Sequence, residues 1–121
     1  MALDPSLIEL EKALHSLEIA LSSEKTELNR DATIQRFEFS VELAWKTARK
    51  KLGFQNTAPK LVVRDLAQAG VIQSAEKWFE FIEARYMSSH TYKEDVAEIV
   101  YLAAKDFLPH ALKLLAELKK I

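Results

Sequence analysis

The sequence predicts an all-α protein, an up-and-down bundle of about five helices. Apolar residues recur at steps of three and four along almost the whole chain, and only two glycines and three prolines interrupt them. There is no cysteine to staple a loop-rich fold. The 121 residues, 49% hydrophobic and 29% charged, have the composition of one globular domain spanning 1–121. A chain of this length buries roughly two thirds of the surface it exposes when unfolded, enough for one core without cross-links.

The first helix is read from Leu3, Leu7, Leu10, Leu14, Leu17 and Leu21, whose alternating steps of four and three make a stripe that packs on neighbours. Polar residues from Ser22 to Arg30 form a connector. The second helix is expected over about Asp31 to Leu52, with Ile34, Phe37, Val41, Ala44, Ala48 and Leu52 on one face and Gly53 in the C-terminal cap position. Phe39 and Leu43 fall on its opposite face. A helix apolar on two sides is central in a bundle or shared with a second copy, which makes a homodimer the expected assembly.

Pro59 opens a short third helix that Gly70 ends, following the preference for proline first and glycine last. The fourth helix covers roughly Ser74 to Met87. Glu76, Glu80 and Glu83 share one side of it, and Trp78, Phe81 and Ile82 the other. The fifth helix is expected to start at Thr91 as N-cap, because Thr91-Tyr92-Lys93-Glu94 reads as a capping box before Val96, Val100, Ala103 and Phe107. Pro109 lies inside the continuing pattern and predicts a kink near Leu108 rather than a break.

Composition also excludes functions. Without cysteine there is no disulfide, thiolate metal site or cysteine nucleophile. The three histidines, His15, His90 and His110, lack ligand-like spacing, so neither metal nor cofactor is called for. The longest apolar run, Ile99 to Ala104, has six residues, far short of the roughly 20 that span a bilayer. The Met1–Pro5 start has no basic region before an apolar run, so a cytoplasmic protein away from any membrane is expected. The net charge of -1 gives no global pull toward nucleic acid, but Lys46, Arg49, Lys50, Lys51, Lys60 and Arg64 lie between Leu43 and Arg64 with no acid among them. That stretch is either a phosphate-facing patch or a solvated helix face.

The chemistry is expected at the junction of the fourth and fifth helices. Arg85 lands among the aromatics of the fourth helix, where it must find a carboxylate, a carbonyl or a bound anion. On one continuous helix, residues five apart point about 140° away from each other, so Arg85 and His90 meet only if the chain turns between them. With such a turn, Arg85 and the free amides of the fifth helix would hold a phosphate. His90 would do general acid or base work on a phosphodiester whose nucleophile is an RNA 2′-hydroxyl. Arg85 has a second possible role, pairing with Glu38 or Glu42 to lock the bundle. Trp45 and Trp78 sit within apolar patterns and are expected in the core.

Arg85-Tyr86-Met87-Ser88-Ser89-His90-Thr91-Tyr92 resembles the Arg-x4-His-x-Tyr motif of HEPN domains found beside minimal nucleotidyltransferases. The segments Phe37 to Lys46, Ala58-Pro59-Lys60 and Ala69-Gly70-Val71-Ile72 are similar to the subfamily named nucleotidyltransferase substrate-binding proteins, and the likeness covers most of the chain. The resemblance implies a HEPN-like five-helix bundle that dimerises, sets two motifs near each other, and pairs with a separate nucleotidyltransferase chain, as a heterotetramer if both are dimeric. It also implies a toxin–antitoxin pair. Arg85 and His90 would then be the catalytic residues of a metal-independent endoribonuclease, with Tyr86, Ser89 and Thr91 supporting them. The nucleotidyltransferase would neutralise it by modifying Tyr92. Family members often carry a polar residue such as asparagine after the arginine, where this chain has Tyr86. That departure and the near-neutral charge keep a second reading open, a non-catalytic subunit that presents a substrate to the nucleotidyltransferase.

Overall fold

The computed structural model describes residues 5–121. The Met1–Asp4 start, with Leu3 of the expected first stripe, lies outside them. Helix α1 spans Pro5–Ser22, α2 Glu27–Leu52, α3 Pro59–Gln68, α4 Ala75–Met87 and α5 Glu94–Lys119, and a single 3-10 turn over Ser88–His90 separates the last two. No strand occurs among the described residues. Helices α1, α2 and α5 pack against one another; α4 lies on α5 and α2, and α3 packs on α4 and α2.

Local signals explain most boundaries. Pro59 is at the first position of α3, and Gly70 supplies the left-handed residue (φ 74°) that turns the chain away. Gly53 (φ 69°) caps α2 through N–H bonds to Arg49 and Lys50 carbonyls. Ser74 caps α4 by accepting from the Lys77 N–H. Helix α2 starts four residues before the expected Asp31, because the Thr26 side chain accepts from the Asn29 N–H and caps a polar first turn. Helix α5 runs through Pro109 as one element, as expected.

The expected stripes are largely buried, with Leu21 and Leu52 at the helix ends only partly so. Leu7, Leu10, Leu14 and Leu17 of α1 meet Ile34, Phe37, Val41, Ala44 and Ala48 of α2 in one core. On α5 the inner face is Ala97, Val100, Tyr101, Ala104 and Phe107, so the expected Val96 and Ala103 sit only at its edge. Trp45 and Trp78 are core residues. The centre is aromatic. Phe107 of α5 meets Phe37 of α2 at 5.3 Å, Phe81 of α4 at 5.3 Å and Trp78 at 5.6 Å, all edge to face. That arrangement sets the positive rim of one ring against the negative face of the next, and each such pair adds about 0.5–1.5 kcal/mol beyond burial.

Phe107→Ala removes the shared ring of three contacts and leaves a cavity where three helices meet. It is expected to cost about 3–5 kcal/mol. The check is urea unfolding, in which the midpoint falls while the slope stays unchanged.

Candidate functional site

The motif occupies the α4–α5 corner, and hydrogen bonds within four residues build it. The Ser88 N–H caps α4 on the Ala84 and Arg85 carbonyls. The Ser88 hydroxyl donates to the Arg85 carbonyl at 2.5 Å and accepts from Arg85 Nη1 at 3.3 Å. Thr91 Oγ1 then donates to the Ser88 carbonyl at 3.2 Å, and Ser89 Oγ to the Tyr86 carbonyl at 3.1 Å. Ser88, which sequence reasoning did not single out, is therefore the buried joint between the two halves of the motif. Its one legible signal was a serine three residues after Arg85 at a helix end, where its hydroxyl bonds back to the last carbonyls.

The capping box is not formed. Helix α5 begins at Glu94 with an extended Lys93 as N-cap and no side-chain cap bond, because the Thr91 hydroxyl is already committed to Ser88. Tyr92 is therefore in the turn rather than in the helix. The first turn of α5 carries Glu94 and Asp95, so its positive end already faces the chain's own acids.

Arg85 is half-buried between two carboxylates of α2: Nη1 lies 3.7 Å from Glu38 Oε2, and Nε lies 3.5 Å from Glu42 Oε1. Neither carboxylate contact is a hydrogen bond, and the buried Nε has no hydrogen-bond acceptor among the described residues. The alternative pairing with α2 is thus present in loose form, leaving donors of the guanidinium uncommitted. His90 is exposed, and its ring lies 6.1 Å from that of Tyr92, edge to face. Tyr92 is 79% exposed and Tyr86 50%. The turn therefore brings His90 and Tyr92 together and ties Arg85 to the same corner through Ser88. His90, Tyr86 and Tyr92 are exposed at this corner, and neither the cavity at the end of α2 nor the one beside the α3–α4 loop includes a residue of the motif.

The start of α5 is fixed from a distance. Arg30, buried near the start of α2, donates to Glu94 and to Asp31 Oδ1, and its Nη1 lies 3.7 Å from Glu98 Oε1. The hydrogen bond to Glu94 is the main cause that pushes the Arg30 pKa above its ordinary value, against the opposing effect of burial. Lys25 Nζ closes the cluster on Glu98 at 2.7 Å and stands over the Tyr101 ring. That bond, opposed by desolvation and reinforced by Arg30, holds the Glu98 carboxyl below its ordinary value. Arg30 fell in the expected connector; its acids on α5 are more than 60 positions away, which no local pattern reveals.

The basic stretch divides. Lys60 pairs with Glu83 across α3 and α4, Lys46 lies 3.4 Å from Glu42, and Arg49 Nε donates to the Asn56 carbonyl. A cavity of about 380 Å³ opens between Trp45, Lys46, Arg49, Lys50 and Thr57. A second, of about 410 Å³, lies where the α3–α4 loop meets the end of α5, beside Trp78 and His110. No helix among the described residues is long and apolar enough to cross a membrane.

A family model described as nucleotidyltransferase substrate binding protein like matches residues 5–120. A Haemophilus influenzae protein named probable ribonuclease HepT is 30% identical over 100 residues, 72% of this chain and 65% of that protein; the chain thus spans just under two thirds of that relative's length. A crystal structure from Thermus thermophilus superposes with a TM-score of 0.83 at 30% identity, over 90% of this chain and 98% of that one. Another structure, from Haemophilus influenzae and described as revealing the fold of a substrate binding domain of a nucleotidyltransferase, gives 0.82 at 27% identity, over 93% and 98%.

The Lys25–Glu98 contact makes a pH prediction with a definite sign. A carboxyl lowered in the folded state stabilises the fold above its unfolded value, near 4.5, and that stability is lost as pH falls through the lower folded value. Thermal melts across the acid range should show this loss in the native chain and a smaller one in Lys25→Met.

Proposed function

This chain belongs to the nucleotidyltransferase substrate-binding protein family, and on that basis we propose that it is the partner subunit of a separate nucleotidyltransferase and the endoribonuclease toxin of a cytoplasmic toxin–antitoxin pair. Tyr92 is the residue that the nucleotidyltransferase modifies. The observation that carries the reading is the corner itself: an exposed imidazole and an exposed phenol side by side, with an under-used guanidinium tied to the same turn by Ser88.

In this reading RNA lays one phosphodiester against Arg85, whose fixed positive charge is matched to the negative charge that builds on the phosphoryl oxygens. His90 takes the proton from the 2′-hydroxyl. A new 2′-oxygen–phosphorus bond forms, the bond to the 5′-oxygen breaks, and that oxygen takes a proton from solvent water as it leaves. The products are a 2′,3′-cyclic phosphate and a 5′-hydroxyl. Tyr86 and Ser89 line the approach, while Ser88 and Thr91 hold the turn. Two chains related by a twofold axis would bring two such corners together, giving the open surface of one protomer a second wall. Exposed Phe39 and Tyr86, on the two helices that carry Glu38 and Arg85, favour such a homodimer, with a heterotetramer once two partners join. A nucleotidyl group on Tyr92 would stand beside His90 and exclude RNA from it.

A second reading has its own support. Arg85 already faces Glu38 and Glu42, and neither the cavity at the end of α2 nor the one beside the α3–α4 loop includes a motif residue, which suits a non-catalytic subunit that presents Tyr92 or a bound substrate to the nucleotidyltransferase.

Purified protein is expected to cleave single-stranded RNA. His90→Ala should lower the rate by about 100- to 10,000-fold, the usual worth of a positioned acid or base, without changing the melting temperature. Equal cleavage by both proteins, or none by the native chain, selects the second reading. Co-expression with the nucleotidyltransferase is expected to add mass to the intact chain, and Tyr92→Phe to abolish the gain; a gain that persists places the modification elsewhere.

A further inference from the structure

We propose that the cavity walled by Trp45, Lys46, Arg49, Lys50 and Thr57 is a phosphate site, which seats the backbone of a single-stranded RNA running along α2 from the Arg85–His90 corner. The inference deepens the ribonuclease reading and rests on it.

Among the described residues no carboxylate lines this cavity, and three of the five that do line it are cations. Basic residues in the last turn of a helix are ordinary, since they oppose its negative end. That accounts for Arg49, Lys50 and Lys51, all in the last turn of α2. It does not account for a concave seat of about 380 Å³ that takes in Lys46 a turn earlier and leaves Lys51 out. The volume lies within the range of small-ligand sites.

The seat is also held in shape. Arg49 Nε is spent on the Asn56 carbonyl, and Asn56 Nδ2 donates to Asp65 Oδ2 at 2.8 Å, fixing the loop that supplies Thr57. The outer nitrogens of the Arg49 fork remain for a ligand. Trp45 forms a rigid apolar wall, with the Lys46 ammonium 5.6 Å from its ring centroid. The buried indole N–H has no acceptor among the described residues. A site fixed before binding loses little entropy when a phosphate enters.

The link to the corner lies in the sequence register. Glu38, Glu42, Lys46 and Lys50 follow one another at four-residue steps and form a single ridge of α2. Arg85 stands over the first two, and the cavity opens beside the last two. Glu42 is shared, with one oxygen 3.5 Å from Arg85 and the other 3.4 Å from Lys46. Along the ridge, four cations (Arg85, Lys46, Arg49 and Lys50) therefore face two carboxylates, a local excess in a chain whose net charge is -1. From Glu42 to Lys50 the ridge rises roughly 12 Å. A flexible polyanion spans that distance, and a compact ligand such as a free nucleotide does not touch both ends.

The test is fluorescence anisotropy with a short 2′-O-methyl RNA oligonucleotide, which binds but lacks the 2′-hydroxyl that cleavage needs. The double variant Lys46→Ala/Lys50→Ala should weaken binding by about tenfold or more. It should also flatten the plot of log affinity against log salt by about 1.4, since each phosphate neutralised on a single strand contributes about 0.7. Lys12→Ala, an exposed cation on α1, is the control and should change neither. Native-like affinity and slope in the double variant, with its circular dichroism unchanged, overturns the proposal. So does absence of binding by the native chain, or AMP or inorganic phosphate binding as tightly as the oligonucleotide. Cleavage of unmodified RNA is read in parallel: cleavage that persists while the double variant binds normally sinks the cavity proposal alone, and pocket-dependent binding without cleavage sinks the ribonuclease reading alone.

Discussion

The Phe107 ring is the hub around which the helices are set. It receives an edge or a face from Phe37 of α2 and from Trp78 and Phe81 of α4, so one side chain of α5 fixes how three helices meet. The consequence lies one turn further on. Arg85 follows Phe81 by four residues on the same face of α4, and Glu38 and Glu42 sit beside Phe37 and Val41 on α2. Once the rings have seated, the guanidinium has no choice but to face those two acids. The corner around Arg85 inherits its geometry from the packing beneath it.

The corner departs from what a merely structural ion pair would do. A buried arginine kept for stability closes its hydrogen bonds on its acids, as Arg30 does with Glu94 and Asp31. Arg85 approaches its acids without closing on them and leaves Nε without an acceptor among the described residues. The two arginines therefore divide the work: Arg30 fixes where α5 begins, and Arg85 is held, among the described residues, by Ser88 and two loose carboxylates, which leaves it able to meet another anion. Glu42 ties this corner electrostatically to the basic end of α2, because it is shared between Arg85 and Lys46.

Much of the fold was legible in the chain. Pro59, Gly70, Gly53 and Ser74 act through steric preference or a hydrogen bond within a few residues, so their roles are written locally. The start of α2 was missed because its first turn is polar and gives no apolar period, although Thr26 was there to cap it. The start of α5 was misplaced for the opposite reason. Thr91 has the right spacing for a capping box, but Ser88 takes its hydroxyl and Arg30 holds Glu94. A strong local signal lost to a neighbour and to a residue more than 60 positions away.

Periodicity and spacing are properties of neighbouring residues, so the order of residues was enough to predict the all-α class, most of the buried helix faces and the place of Arg85, His90 and Tyr92 at one helix junction. Packing was needed to establish that Glu38 and Glu42 share Arg85, and that three of the six clustered cations wall a cavity while Lys60 pairs with Glu83. What a charge does is defined by what stands within a few ångströms of it. That neighbourhood comes into being when distant helices meet, and the linear order of the chain does not contain it.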